Sequence, residues 1–166
     1  PDEQFDLVTV AQAAHWFDTE AFHRELQRVL KPGGLFARWG YGLLRIEPEV
    51  DALIDVFYWE TLKGYWHPQR RHIDRAYASL PFPFAEIPVP DLQLEVSFSV
   101  DALCGYFRSW SSVQNYLKQR GENPVDALEV QLREVWEEGT RTSGPEPKPA
   151  VFPLFLKMGR KGAQPG

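Results

Sequence analysis

The chain has 166 residues, 43% of them hydrophobic and 25% charged, a balance that suits one domain with one buried core and excludes a disordered polymer. Its formal net charge of -5 supplies no basic stripe for a phosphate backbone, so nucleic acid is not expected as a partner. A lone cysteine, Cys104, excludes an internal disulfide and a thiolate zinc cage, and a reducing cytoplasm is the expected compartment.

No apolar run reaches the roughly 18 to 20 residues that span a bilayer, and no charged-then-apolar leader opens the sequence, so no membrane partner is expected. The chain opens at Pro1 without a methionine, and a fragment of a longer protein is expected.

Phe5-Asp6-Leu7-Val8-Thr9-Val10 reads as a short strand buried on both faces. Asp18 or Thr19 caps a helix from about Glu20 to Leu30, where Phe22, Leu26, Val29 and Leu30 form one apolar stripe. Lys31-Pro32-Gly33-Gly34 ends that helix, and Leu35 to Trp39 forms a second strand. Strand, helix and strand at this spacing make a βαβ unit with a right-handed crossover. Val50, Leu53, Ile54, Phe57, Tyr58 and Leu62 keep the helical period from Pro48 to about Gly64. Tyr65 to Pro90, with five prolines, reads as an irregular surface segment, a lid or substrate wall, so the helical and irregular insert covers about 48–90.

Leu92, Leu94, Val96 and Phe98 alternate with polar residues, the period of a strand with one exposed face. Asp101 to Phe107 and Ser112 to Arg120 read as short helices, the second ended by Gly121. Asn123-Pro124 opens a further helix through Trp136 that stops at Gly139. Arg141 to Pro149 is a polar connector, and Val151 to Met158 a last strand that pairs antiparallel with the strand before it. The fold class is therefore α/β, a mostly parallel sheet with an antiparallel edge.

In open parallel sheets, ligands settle beyond the carboxyl ends of the strands, which directs attention to Ala11, Gln12, His15 and Trp16 after Val10, and to Tyr41 after Trp39. Several of the candidate residues have a structural alternative. His15 can cap the next helix or satisfy a loop carbonyl, and Trp16 and Trp39 can be core aromatics. Arg108 and Trp110, beside small polar residues at a helix junction, suit capping as well as recognition of a substrate carboxylate. Arg70, Arg71, His67 and His72 suit a solvated face as well as an anion site, and Cys104 suits an inert core position. Glu129, Glu134, Glu137 and Glu138 read as helix-surface residues, and no metal site is expected.

The string from Phe5 through Ala11-Gln12-Ala13-Ala14-His15-Trp16-Phe17, followed by Arg28-Val29-Leu30-Lys31-Pro32-Gly33-Gly34, resembles the fourth-strand and fifth-strand motifs of class I S-adenosylmethionine-dependent methyltransferases. More narrowly it is similar to enzymes acting on small carboxylic acids, of the trans-aconitate type, as are Arg108-Ser109-Trp110-Ser111-Ser112 and Pro153-Leu154-Phe155-Leu156-Lys157. The resemblance implies the carboxyl-terminal part of one Rossmann-like methyltransferase domain over 1–166, holding strands 4, 5, 6 and 7 of a sheet ordered 3-2-1-4-5-7-6. It also implies S-adenosylmethionine as methyl donor, a small-molecule acceptor, Val10, Ala11, Gln12, His15 and Trp16 beside the donor, and Trp39, Tyr41, Arg108 and Trp110 beside the acceptor. His15 is the catalytic candidate. The family's glycine-rich turn and ribose-binding acid would precede Pro1, so half of the donor site is absent from this sequence.

Two other readings stand beside that one: a non-catalytic binding or interaction module that has lost the donor site, and a dinucleotide-dependent α/β enzyme. No Gly-x-Gly-x-x-Gly follows a strand here, which disfavours the last. An opening strand without its outer neighbour leaves backbone groups unpaired, so self-association through that edge is expected.

Overall fold

In a computed structural model, which describes residues 2–138 and 146–162, the sequence forms β1 (Phe5–Ala11), α1 (Thr19–Val29), β2 (Leu30–Tyr41), α2 (Pro48–Val56), α3 (Arg70–Asp74), β3 (Ala85–Ile87), β4 (Gln93–Phe98), α4 (Val100–Arg108), α5 (Ser111–Arg120), α6 (Pro124–Glu138) and β5 (Lys148–Arg160). A single 3-10 turn, Ala14–Trp16, follows β1, and a π turn, Phe57–Thr61, continues α2. The expected helix stop at Gly139 and residues 141–145 of the expected connector lie outside the described residues. The described residues divide into two compact units, one built from 2–43, 69–94 and 152–162, the other from 44–68, 95–138 and 146–151.

The first unit is organised by the β1-α1-β2 crossover. Asp18 caps α1 by accepting a hydrogen bond from the Ala21 amide at 3.0 Å. Phe22 and Leu26 on its inner face pack with Val10, Leu30 and Phe36. At its other end the buried Lys161 donates to the carbonyls of Gln27 and Leu30 at 2.7 Å each, satisfying groups that a helix terminus leaves open. β1 and β2 pair in parallel from Leu7 with Leu35 to Ala11 with Trp39.

Lys31-Pro32-Gly33-Gly34 does more than end the helix. Leu30 already pairs with Phe5, and the register shifts before Leu7, so the four residues bulge out of β2. Gly33 takes φ +78°, and a Cβ on Gly34 would lie 2.9 Å from the Lys31 carbonyl oxygen. The apolar pattern from Leu35 could not show that the strand begins five residues earlier.

β5 runs antiparallel to β2, from Leu35 with Arg160 to Tyr41 with Leu154, and β3 runs antiparallel to β5. The order is β1-β2-β5-β3, and β4 also pairs with β5. The strands expected as 4, 5, 7 and 6 are β1, β2, β5 and β4; β4 pairs with β5 off the main path, whose last strand is β3. β3 and α3 lie inside the segment read as irregular. β3 has three residues between flanking prolines, too few to show a period.

β1 is not buried on both faces. Phe5 and Leu7 are each 52% exposed, whereas Val10 on the opposite face is buried beneath α1. Among the described residues no strand lies outside β1. Leu92, Leu94 and Val96, expected on one half-buried face, are also exposed.

The second unit is helical. α2, α4 and α5 each pack against α6, and Val50, Ile54, Leu103, Cys104, Phe107, Leu132 and Trp136 are buried there. Ser99 caps α4 through the Ala102 amide, Gly121 ends α5 at φ +79°, and Asn123 accepts from the Val125 amide at 3.0 Å to open α6.

Candidate functional site

The carboxyl ends of β1 and β2 meet through Gln12, the first residue beyond β1. Its backbone amide donates to the Trp39 carbonyl at 2.8 Å. Its side-chain oxygen accepts from the Tyr41 amide at 3.0 Å, and its side-chain nitrogen donates to the Tyr41 carbonyl at 3.3 Å. Both polar atoms of the amide thus serve the neighbouring strand. A left-handed backbone at Gln12, φ +50°, turns the side chain this way.

Beyond Gln12 the 3-10 turn buries Ala14 and His15 and leaves Trp16 57% exposed. His15 Nδ1 lies 3.1 Å from the Tyr77 hydroxyl, and the imidazole is tilted against the Trp16 ring at 4.6 Å between centroids. Burial pushes the Tyr77 phenol above its ordinary range, while the Ala14 amide and the charge of Arg38 oppose that shift. Val10 is buried in the core, Ala11 is exposed, and the Tyr41 ring meets Phe152 edge-on at 5.3 Å.

Arg38, which carried no expectation, is 3% exposed on β2. It donates to the carbonyls of Pro81 and Leu80 at 2.8 Å each and of Tyr77 at 3.4 Å, and its guanidinium lies over the Tyr77 and Phe82 rings. Desolvation pulls it below the usual guanidinium range. The signal was present in the sequence: an arginine between Ala37 and Trp39 in an apolar strand must find inward acceptors. Tyr77 takes φ +58°, which composition alone does not indicate.

An apolar cavity of about 370 Å³ lies on the opposite sheet face, lined by Leu7, Thr9, Ala37, Trp39, Leu156 and Met158 among others. Period two explains the division: Leu7, Thr9, Ala37 and Trp39 point one way, and Val8, Val10, Phe36 and Arg38 the other. Trp39 therefore borders this cavity, while His15 is buried beside Tyr77 and Gln12 joins the strand ends.

Arg108 and Trp110 belong to the second unit. Arg108 donates to Asp126 at 2.9 Å and Glu129 at 2.7 Å, and these carboxylates hold its guanidinium firmly charged. Arg133 joins Glu129 to Asp101. Trp110 packs among Phe57, Tyr58, Trp66, Tyr106 and Phe107. Cys104 is fully buried, and desolvation pushes its thiol up to about 11. In the first unit Arg70 lies 3.6 Å from Asp74, and His72 Nδ1 lies 2.7 Å from the Ser79 hydroxyl. Among the described residues no cluster of His, Cys, Asp or Glu could hold a metal ion, and no helix is long and apolar enough to cross a membrane.

A parallel pair extended by an antiparallel strand, with loops gathered at the parallel carboxyl ends, defines a mixed α/β sheet of the kind that holds ligands at those loops. A family described as methyltransferase domain matches residues 1–37. The chain is 36% identical to a type II methyltransferase candidate from Anaeromyxobacter dehalogenans, with a TM-score of 0.86 over 99% of this chain and 68% of that one. It is 31% identical over 165 residues to a curated protein of Dictyostelium discoideum named as a methyltransferase candidate, and it spans 62% of that relative's length. The chain belongs to the methyltransferase family.

Proposed function

We propose that the protein contributes to methyl transfer from S-adenosylmethionine to a small-molecule acceptor, with a carboxylate as the acceptor implied by the likeness to trans-aconitate-type enzymes. The observation that carries this reading is the juxtaposition at the ends of β1 and β2: two loops tied through Gln12 and Tyr41, with an exposed Trp16 beside a buried His15. Trp16 fits the sulfonium end of the donor, since an aromatic face attracts a cation. The other polar groups on the first loop are engaged: Gln12 with Tyr41, His15 with Tyr77, and Asp18 with the cap of α1. We infer that the ribose and amino-acid ends of the donor are held by sequence matching the part of the relatives that this chain does not span.

When bound, the donor supplies a methyl carbon already activated by positive sulfur. An ionised carboxylate acceptor needs no general base, so the protein's contribution is alignment and exclusion of water. Trp16 would serve as a wall against the methyl group. His15, held through Nδ1 by Tyr77, would keep the turn that presents Trp16. Trp39, Tyr41, Arg108 and Trp110 remain proposed acceptor-side residues. For Arg108 to meet a carboxylate, the substrate must replace Asp126 or Glu129. Cytoplasmic location, and a second copy of this chain along the outer edge of β1, belong to the same proposal.

The test is transfer of radiolabelled methyl from S-adenosylmethionine to a panel of small carboxylic acids, amines and phenols. It uses the chain alone and the chain expressed with any coding sequence found upstream of Pro1. Labelled ester from the longer protein, with S-adenosylhomocysteine binding by the 166-residue chain too weak for calorimetry, is the expected result. Micromolar binding by the short chain overturns the divided site. Absence of labelled product from the longer protein favours a non-catalytic binding module, the reading to which the internally satisfied Gln12 and Arg108 lend weight.

A further inference from the structure

We infer that Gln12 is a positioning residue which fixes the spacing of the two loops at the carboxyl ends of β1 and β2 through the main chain of Tyr41, and is not a ligand-binding group. This deepens the methyl-transfer reading and rests on it for its consequence, though not for its geometry. Three observations meet at this point. The side-chain amide supplies to Tyr41 both hydrogen bonds that a continuing parallel strand would supply through two of its residues, accepting from its N–H and donating to its carbonyl. The backbone of Gln12 is left-handed at φ +50°, a conformation that costs a non-glycine residue energy and persists only where surrounding contacts enforce it. Residue 40 is glycine, and a Cβ there would lie 2.5 Å from Gln12 Oε1 and 2.5 Å from the Phe155 ring, so any larger residue expels the clamp.

Ordinary pairing between parallel strands ends at Ala11 with Trp39, and beyond it the chains diverge. The Gln12 amide extends the pairing by one step on a side chain instead of a backbone. It thereby fixes the base of the 3-10 turn that carries His15 and Trp16 with respect to Tyr41. The crevice between adjoining loops at strand ends is where open α/β sheets hold ligands, so its width depends on this link.

The test is site-resolved hydrogen exchange on the full chain, read as protection factors so that intrinsic pH effects cancel. Gln12→Ala should lower protection of the Tyr41 amide about tenfold while Phe36 and Ala37 in the same strand keep theirs. Gln12→Glu separates the clamp from bulk packing. Ionised, its carboxylate can still accept from the Tyr41 N–H but cannot donate to the Tyr41 carbonyl, which then repels it, so the clamp opens and protection falls; protonated, it again offers one donor and one acceptor, and protection returns as pH drops below the carboxyl range. Gln12→Ala shows no such return. Tyr41 protection unchanged in Gln12→Ala, or lost equally across β2, overturns the inference. So does a Gln12→Glu chain whose Tyr41 protection ignores pH. If Gln12→Ala fails to fold, the Gln12→Glu pH series decides alone. No ligand enters the measurement, so its failure is distinct from a failure of the methyl-transfer assay.

Discussion

Arg38 shows how much one buried cation can organise. Three carbonyls, from Tyr77, Leu80 and Pro81, turn toward its guanidinium, and the two aromatic rings of Tyr77 and Phe82 lie beneath it. These acceptors belong to a segment with little regular structure, whose backbone carbonyls need partners wherever it is covered. Replacing Arg38 with methionine keeps much of the volume and leaves the carbonyls without their donor. That should cost about 3 kcal/mol, read as a lower denaturant midpoint at unchanged slope. Tyr77→Phe removes only the hydroxyl beside His15 Nδ1 and should cost less, about 1 kcal/mol. A loss of only about 1 kcal/mol in Arg38→Met would show that the carbonyl cluster contributes no more than one ordinary hydrogen bond. Arg38→Lys does not restore the wild-type midpoint, since an ammonium cannot reach three acceptors in the geometry of a planar fork.

Among the elements, β3 is held by a close approach that its own sequence does not advertise. A Cβ on Gly159 of β5 would lie 2.8 Å from the Ala85 carbonyl oxygen and 2.7 Å from the Phe82 ring. One neighbour is backbone and cannot rotate aside. Gly159→Ala should therefore push β3 off β5, costing about 1–3 kcal/mol, with faster exchange at 85–87 and unchanged exchange in α1. Stability equal to wild type would mean that β3 yields without cost. The contrast between elements explains what could be read in advance. β1, α1, β2 and the helices of the second unit declare themselves by period and caps, because many residues of each repeat one contact. β3 has three residues and owes its existence to β5, far along the chain, so no local pattern carries it. The candidate site divides in the same way. Residue types at strand ends marked Gln12, His15 and Trp16 for attention, whereas the partners that decide their roles, Tyr41 and Tyr77, are 29 and 62 residues away.

At the scale of the whole molecule, the first unit has a sheet finished on one face only. α1 covers Val8, Val10 and Phe36, while Leu7, Thr9, Ala37 and Trp39 line an apolar cavity, and Phe5 and Leu7 stand half exposed. Parallel strands are ordinarily covered on both faces, and a free edge is ordinarily guarded by lysine, proline or a bulge on the outer side. β1 holds one charged residue, Asp6, and Lys31 Nζ lies 2.9 Å from its carboxylate, so that guard is largely neutralised. A second copy offers the same unprotected strand, and antiparallel pairing of the two would satisfy the open backbone groups of both. Sedimentation velocity on the 166-residue chain should accordingly show association that grows with concentration. Leu7→Lys places an ammonium on the 52% exposed position, where antiparallel pairing of two β1 strands would bring like charges together across the shared edge. This variant should shift the population toward monomer while moving the unfolding free energy by no more than about 0.5 kcal/mol. A wild-type chain that stays monomeric across the concentration range would mean that its outer edge is quiet without a partner. Unchanged association in Leu7→Lys would place the contact elsewhere on the surface.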